Sequence, residues 1–84
     1  MSAGGLPLAM AGTDERVKVV AVSGDQNDQR RLFDLGIVVG KELTVTQRQT
    51  DGRMVVALGD LRLALGVGVT RKILVVPVSD VETR

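Results

Sequence analysis

Eighty-four residues make one domain, and a chain of that size buries roughly 60 to 65% of the surface its unfolded form exposes. The apolar share is 44% but the aromatic share only 1%, a single Phe33, so the core must be built from Val, Leu, Ile and Ala; β-branched residues of this kind favour strands. Eleven basic against ten acidic residues give no general field for nucleic acid or anionic lipid, and the absence of Cys and His removes disulfides, thiolate sites, the commonest metal ligand and the usual neutral-pH base.

Residues 1–5 read as a loose tail. Ala9-Met10-Ala11 imitates a signal cleavage site, but no Lys/Arg-bearing n-region or long apolar h-region precedes it, so no leader is expected. No apolar run approaches about 18 residues, so no membrane span is expected. Residues 6–11 form an apolar patch with Pro7, too brief for a stable helix, and are expected to lie across the domain as a lid or helical turn. Gly12-Thr13-Asp14 then turns the chain into a strand over residues 15–23, with Val17, Val19 and Ala21 on one face and Lys18, Val20 and Val22 on the other. The second face is not cleanly polar, which predicts partial cover on both sides.

After Ser23-Gly24, Asp25 or Asn27 is placed to cap a helix over residues 27–35, with Asp28 at its positive end. That helix would set Leu32 and Leu35 on one face with Phe33 beside them, and Arg30, Arg31 and Asp34 outwards. Gly36 sits where helices end in a left-handed residue, and Ile37 follows as the apolar residue packing back on the last turn. Val38-Val39-Gly40-Lys41 turns the chain into a second strand, in which Leu43, Val45 and Gln47 alternate with Thr44, Thr46 and Arg48. Asp51-Gly52 predicts a type I′ hairpin, with the return strand carrying Met54, Val56 and Leu58 inwards. Gly59-Asp60 makes another tight turn before Leu61, Leu63 and Leu65 on one face of a fourth strand. Residues 66–70 are a break or one helical turn, residues 73–78 a closing strand whose end Pro77 confines to a sheet edge, and residues 79–84 a tail. About five short strands with one helix after the first describe a mainly-β, small SH3-like barrel over residues 6–78, with an OB-type barrel as the next choice.

Little in the chain points to chemistry. Gly66-Val67-Gly68 with Thr70-Arg71-Lys72 has a phosphate-loop look, but the Gly-x-x-x-x-Gly-Lys-Ser/Thr spacing and the βαβ setting are missing. Asp25 and Asp28 are explained by helix capping, Asp51 and Asp60 by turns, and a hard cation would need about six oxygens. No metal, cofactor or catalysis is expected. Arg48, Arg53 and Arg62 on an outer face would suit nucleic acid, yet the stacking aromatics are missing. Self-association through an open strand edge near Pro77 is the other alternative, as a weak homo-oligomer.

The order of elements resembles the FeoA family, ferrous iron transport protein A, and is similar to the C-terminal SH3-like domain of iron-dependent repressors. The residues that carry the match are 8–12, Val17-Lys18-Val19-Val20, Arg31-Leu32 with Leu35-Gly36 and Gly40 in a pattern like R-L-x-x-L-G-x-x-P-G, Leu43-Thr44-Val45, residues 61–65 and Ile73-Leu74-Val75. Val39 stands where the family usually has proline, and Gly66-Val67-Gly68-Val69 where it continues with arginine and a Glu-Ala pair; Arg71 or Lys72 would have to stand in for that arginine. The resemblance implies a small cytoplasmic accessory protein that docks on the membrane ferrous iron transporter FeoB, with the transporter's G-protein domain as the contact. It implies a partner-binding face made by Arg31, Leu32, Leu35, Gly36, Val39 and Gly40.

Overall fold

Apolar residues two apart along an extended chain give each strand one face that must be hidden from water, and in this protein the strands hide those faces against one another. The computed structural model describes residues 5–78. Strands β1 (Leu6–Pro7), β2 (Arg16–Val22), β3 (Glu42–Arg48), β4 (Met54–Leu58), β5 (Leu61–Leu65) and β6 (Ile73–Pro77) form a single antiparallel sheet in the order β1-β6-β2-β3-β4-β5. Helix α1 (Gln26–Asp34) links β2 to β3, and the helical turn α2 (Val67–Thr70) links β5 to β6. The mainly-β fold with one short helix after the first long strand is as the sequence predicts, with six strands where about five were expected. The core holds Val17, Val19, Leu43, Val45, Met54, Val56, Leu58, Leu65, Ile73 and Val75 from the strands, closed by Leu8, Ala11, Leu32 and Ile37.

The extra strand comes from the patch at residues 6–11. Leu6 and Pro7 pair with Val75 and Leu74, and a 3-10 turn, Leu8–Met10, then inserts Leu8, which is fully buried. Burying a leucine contributes roughly 1.5 to 3 kcal/mol, enough to fix a segment too short to be helical alone. Gly5 is drawn in with it: a Cβ there would meet Val20 Cγ2 at 2.8 Å and the Val75 carbonyl oxygen at 2.9 Å, so the expected loose tail is already packed at that residue. Residues 1–4 and 79–84, the remainder of the two expected tails, lie outside the described residues.

Two bulges shift register, between Val19 and Ala21 in β2 and between Val45 and Gln47 in β3. An extra residue sends the next side chain to the other face, and Gln47, expected inwards with Leu43 and Val45, is exposed. At residues 49–52 the loop is wider than the predicted type I′ turn. The Gly52 N–H donates to the Gln49 carbonyl and the Gln49 N–H to the Arg53 carbonyl, and only Gly52, not Asp51, has positive φ. On β5 only Leu65 is fully buried, while Leu61 is 59% exposed, because β5 ends the sheet. Strand β6 lies between β1 and β2, but Pro77, its last residue, lies beyond the Leu74–Val75 stretch that β1 pairs with, so the end of β6 is paired only with β2, as Pro77 suggests. The open edges are β1 and β5.

Helix α1 begins and ends as its sequence dictates. Asp25 is the cap, and the helix starts at Gln26, one residue ahead of the predicted start: the Asp25 side chain accepts from the Asp28 N–H at 2.9 Å while the Asp28 carboxylate accepts from the Asp25 N–H at 3.3 Å, a capping box with Asp in the reciprocal place. At the other end the Ile37 N–H donates to the Leu32 carbonyl and the Gly36 N–H to the Phe33 carbonyl, both at 2.9 Å, which is the six-to-one and five-to-two pairing of a Schellman motif. Gly36 has φ +90°, and a Cβ on it would come within 3.2 Å of Leu58 Cδ2. Gly36→Val should therefore destabilise the fold by about 1 kcal/mol or more, through unfavourable φ and crowding together. Chemical denaturation reads this directly, and an unchanged midpoint would contradict the assignment.

Candidate functional site

Helix α1 turns three polar-to-apolar positions, Gln29, Arg30 and Phe33, to one side, because residues three and four apart share a helical face. Opposite them runs the chain that leaves the helix, Ile37, Val38 and Val39, and Val22 at the end of β2 closes the floor. The result is an open apolar groove with Arg30 and Gln29 on its rim. Phe33 is 67% exposed and Val39 64% exposed, so both walls offer apolar surface to solvent. Phe33 was expected beside Leu32 and Leu35. It lies instead about 100° around the helix from Leu32, which alone of α1 enters the core.

The expected site residues divide by position. Leu32 is 2% exposed and belongs to the core. Gly36 and Gly40 are backbone pivots with positive φ; the Gly40 N–H donates to the Val19 carbonyl at 2.8 Å, and the Val19 N–H to the Lys41 carbonyl at 2.9 Å, tying the turn at 38–41 to β2. Arg31 on α1 and Leu35 at its C-cap are exposed outside the groove lining, and Val39 alone of the six lines it. Arg30, Phe33, Val38 and Val22 were not among the expected site residues. The signal that would have found Arg30 and Phe33 is the 29-30-33 spacing, which puts the chain's single aromatic on the polar side of α1.

Among the described residues no other constellation gathers reactive groups. Among the described residues no group of three His, Cys, Asp or Glu side chains is placed to hold a metal ion. In the glycine-rich stretch at 66–72 the Val69 and Thr70 N–H groups both donate to the Gly66 carbonyl, and the Thr70 hydroxyl donates to the Val67 carbonyl, as in an ordinary helical turn. A Cβ at Gly66 or Gly68 would meet nothing within 4 Å, so packing does not force glycine at this family departure. Of the three arginines considered for nucleic acid, Arg48 donates to the Ala9 carbonyl and Arg53 pairs with Asp51 at 2.8 Å.

What remains is a small SH3-like barrel whose distinctive surface is an open apolar groove. The sequence matches the model of the FeoA domain over residues 6–77. The chain is 25% identical to an iron uptake regulatory protein (FeoA) of known crystal structure, with a TM-score of 0.82, covering 87% of this chain and 97% of that one. It is also 25% identical to the FeoA protein from Chlorobium tepidum, known from solution NMR, with a TM-score of 0.80 and coverage of 94% and 76%. A manganese-dependent transcriptional repressor in complex with manganese shares the fold at 22% identity, with a TM-score of 0.84, over 92% of this chain and 38% of that one. Among curated proteins no sequence match is found. The chain belongs to the FeoA family.

Of the two basic residues that follow the glycine-rich stretch, Lys72 contacts the Asp28 carboxylate with its ammonium at 2.8 Å, whereas Arg71 is exposed. The contact joins the start of β6 to the first turn of α1 and so to the groove's helix. The Lys72 hydrogen bond, opposed by desolvation and helped by the Asp25 N–H, holds the Asp28 carboxyl below its ordinary value of 3.8. A depressed folded-state value stabilises the fold above the ordinary value, and that contribution is lost as pH falls through the lower folded-state value. Asp28→Asn should thus melt below the wild type at about pH 7, and the gap should close on acidification below the ordinary carboxylate range. Paired thermal melts against pH test this; a gap that does not vary with pH would assign the loss to capping alone.

Proposed function

We propose that this chain is a cytoplasmic, non-catalytic accessory protein of ferrous iron uptake, which docks on the membrane transporter FeoB and regulates it by protein–protein contact. Membership of the FeoA family supports the role in ferrous iron uptake. No helix among the described residues is long and apolar enough to cross a membrane. The observation that carries the docking reading is the groove between α1 and residues 37–39, where the chain's one aromatic stands in solvent opposite an exposed valine. Solvent-facing aromatics beside apolar neighbours are the kind of feature that anchors a partner, since a few large side chains supply most of the binding energy.

In this reading Phe33, Val38 and Val39 make the apolar contact, and Arg30 meets an acidic group at its rim. Leu32, Gly36 and Gly40 act indirectly by holding the groove's walls, and Arg31 and Leu35 extend the contact along the outer side of α1. The transporter's cytosolic G-protein domain is the partner to test, in each nucleotide state. Titration calorimetry should show binding by the wild type and a loss of about tenfold or more for Phe33→Ala and Val39→Asp. Both side chains are exposed, so the melting temperatures should stay close to the wild type's. No binding by the wild type in any nucleotide state would overturn the proposal, as would full binding by both variants.

A further inference from the structure

The two open edges of the sheet are built differently. Strand β1 is two residues long and contains Pro7, which has no N–H to offer. Such an edge is poorly suited to pairing. Strand β5 is five residues long, pairs with β4 without a register shift, and carries one charge, Arg62. It lacks the usual protections of an edge, namely proline, a bulge or several charges.

Its hydrogen-bonding groups can be counted from the hairpin that precedes it. Gly59 and Asp60 form a two-residue turn between the paired Leu58 and Leu61, and Gly59 has φ +62° while Asp60 has no positive φ, the type II′ pattern. A two-residue hairpin closes on a hydrogen-bonded pair, and such pairs alternate along the ladder. Leu61, Leu63 and Leu65 therefore spend their N–H and C=O groups on β4. Those of Arg62 and Ala64 point away from it, to the free edge. Leu61 is 59% exposed and Leu63 half-buried, so the apolar face at this edge is also incompletely covered.

We infer that two copies of this chain associate through β5, the free edge of one pairing antiparallel with the same edge of the other about Leu63. The sequence Leu-Arg-Leu-Ala-Leu reads with the same apolar pattern in both directions. Centred on Leu63, the pairing sets Arg62 opposite Ala64 of the second copy, and these are the residues whose backbone groups are free to bond. Leu63 faces its own equivalent as a non-hydrogen-bonded pair, where side chains approach most closely, and the exposed Leu61 comes to lie beside Leu65. No like charges are opposed, since each Arg62 meets an alanine. The contact is one short strand wide, which makes it weak and concentration-dependent. It goes beyond the docking role and uses none of the groove residues.

Sedimentation equilibrium up to about 1 mM protein should show a reversible monomer–dimer equilibrium. Ala64→Glu puts a carboxylate opposite each Arg62 and should tighten the dimer by roughly threefold or more, whereas Ala64→Lys should loosen it by a similar factor. Ala64 is exposed, so neither change threatens the fold. As a second reading, the chain has no cysteine, so Leu63→Cys introduces a single thiol on the two-fold axis. Mild oxidation should cross-link it faster than Arg62→Cys, whose thiol faces position 64 instead. A wild type monomeric throughout the concentration range, or a dimer indifferent to the charge at position 64, would overturn the inference. Transporter binding by the same variants would be measured separately, and its loss or retention leaves the edge assignment unaffected.

Discussion

After β2 the chain departs into a helix and has to return to the strand it left, and the geometry of that return governs most of what lies on the surface. Val19 is the fixed point. It bonds to Gly40 and Lys41 through its carbonyl and amide, while its side chain is fully buried and β6 pairs along its other side. Between that anchor and the end of α1 only a few residues are available, so the helix must stop sharply and the chain must reverse at Gly36. The Schellman motif supplies the reversal and seats Ile37 in the core. Val38 and Val39 are then carried past the helix with no room to turn inwards.

The groove is a by-product of that economy. Of the nine residues of α1 only Leu32 is fully buried, and most of the barrel's interior is filled by aliphatic residues two apart on the strands. A phenylalanine has no vacancy in such a thin core, and adding its bulk would overpack it. Phe33 is therefore left on the side where the returning chain runs alongside, and the two together make an apolar surface larger than either gives alone. Single exposed apolar residues need no explanation, but adjoining ones on facing walls do. At its far end the helix is held to β6 by Asp28 and Lys72, so the groove's helix wall is tied to the sheet at both ends.

Much of this was legible in the sequence, because strong local rules act where they can be read. Alternation located β2, β3 and β4, and Asp25, Asp28 and Gly36 marked the helix because capping chemistry depends on residues within one turn. Elements that depend on distant partners were not legible. A two-residue strand such as β1 has no period, and only pairing with Leu74 and Val75 makes it a strand. The bulge that turns Gln47 outwards is a property of two strands together. That β6 is an interior strand was not legible either, although Pro77 did mark its end, where β1 no longer reaches. Phe33 was assigned inwards by its hydrophobicity, which a helix with one buried position overrides. Of the candidate site, the segment was visible and the side chains that line it mostly were not: Val39 was found, while Arg30, Phe33 and Val38 needed the return path of the chain.

The position of β6 has a consequence for how the molecule comes into being. It lies between β1 and β2, although it is the final strand of the domain, so the earliest strands remain unjoined until the final one slots in. On a ribosome this means that the chain must be extruded through β6 before the sheet can close, and nascent intermediates expose the gap that β6 will fill. Folding dominated by such sequence-distant pairing is slow, in the range of about milliseconds to seconds. The architecture leaves the meander β2-β3-β4-β5 free to pair early and makes the arrival of β6 the step that joins β1 to it.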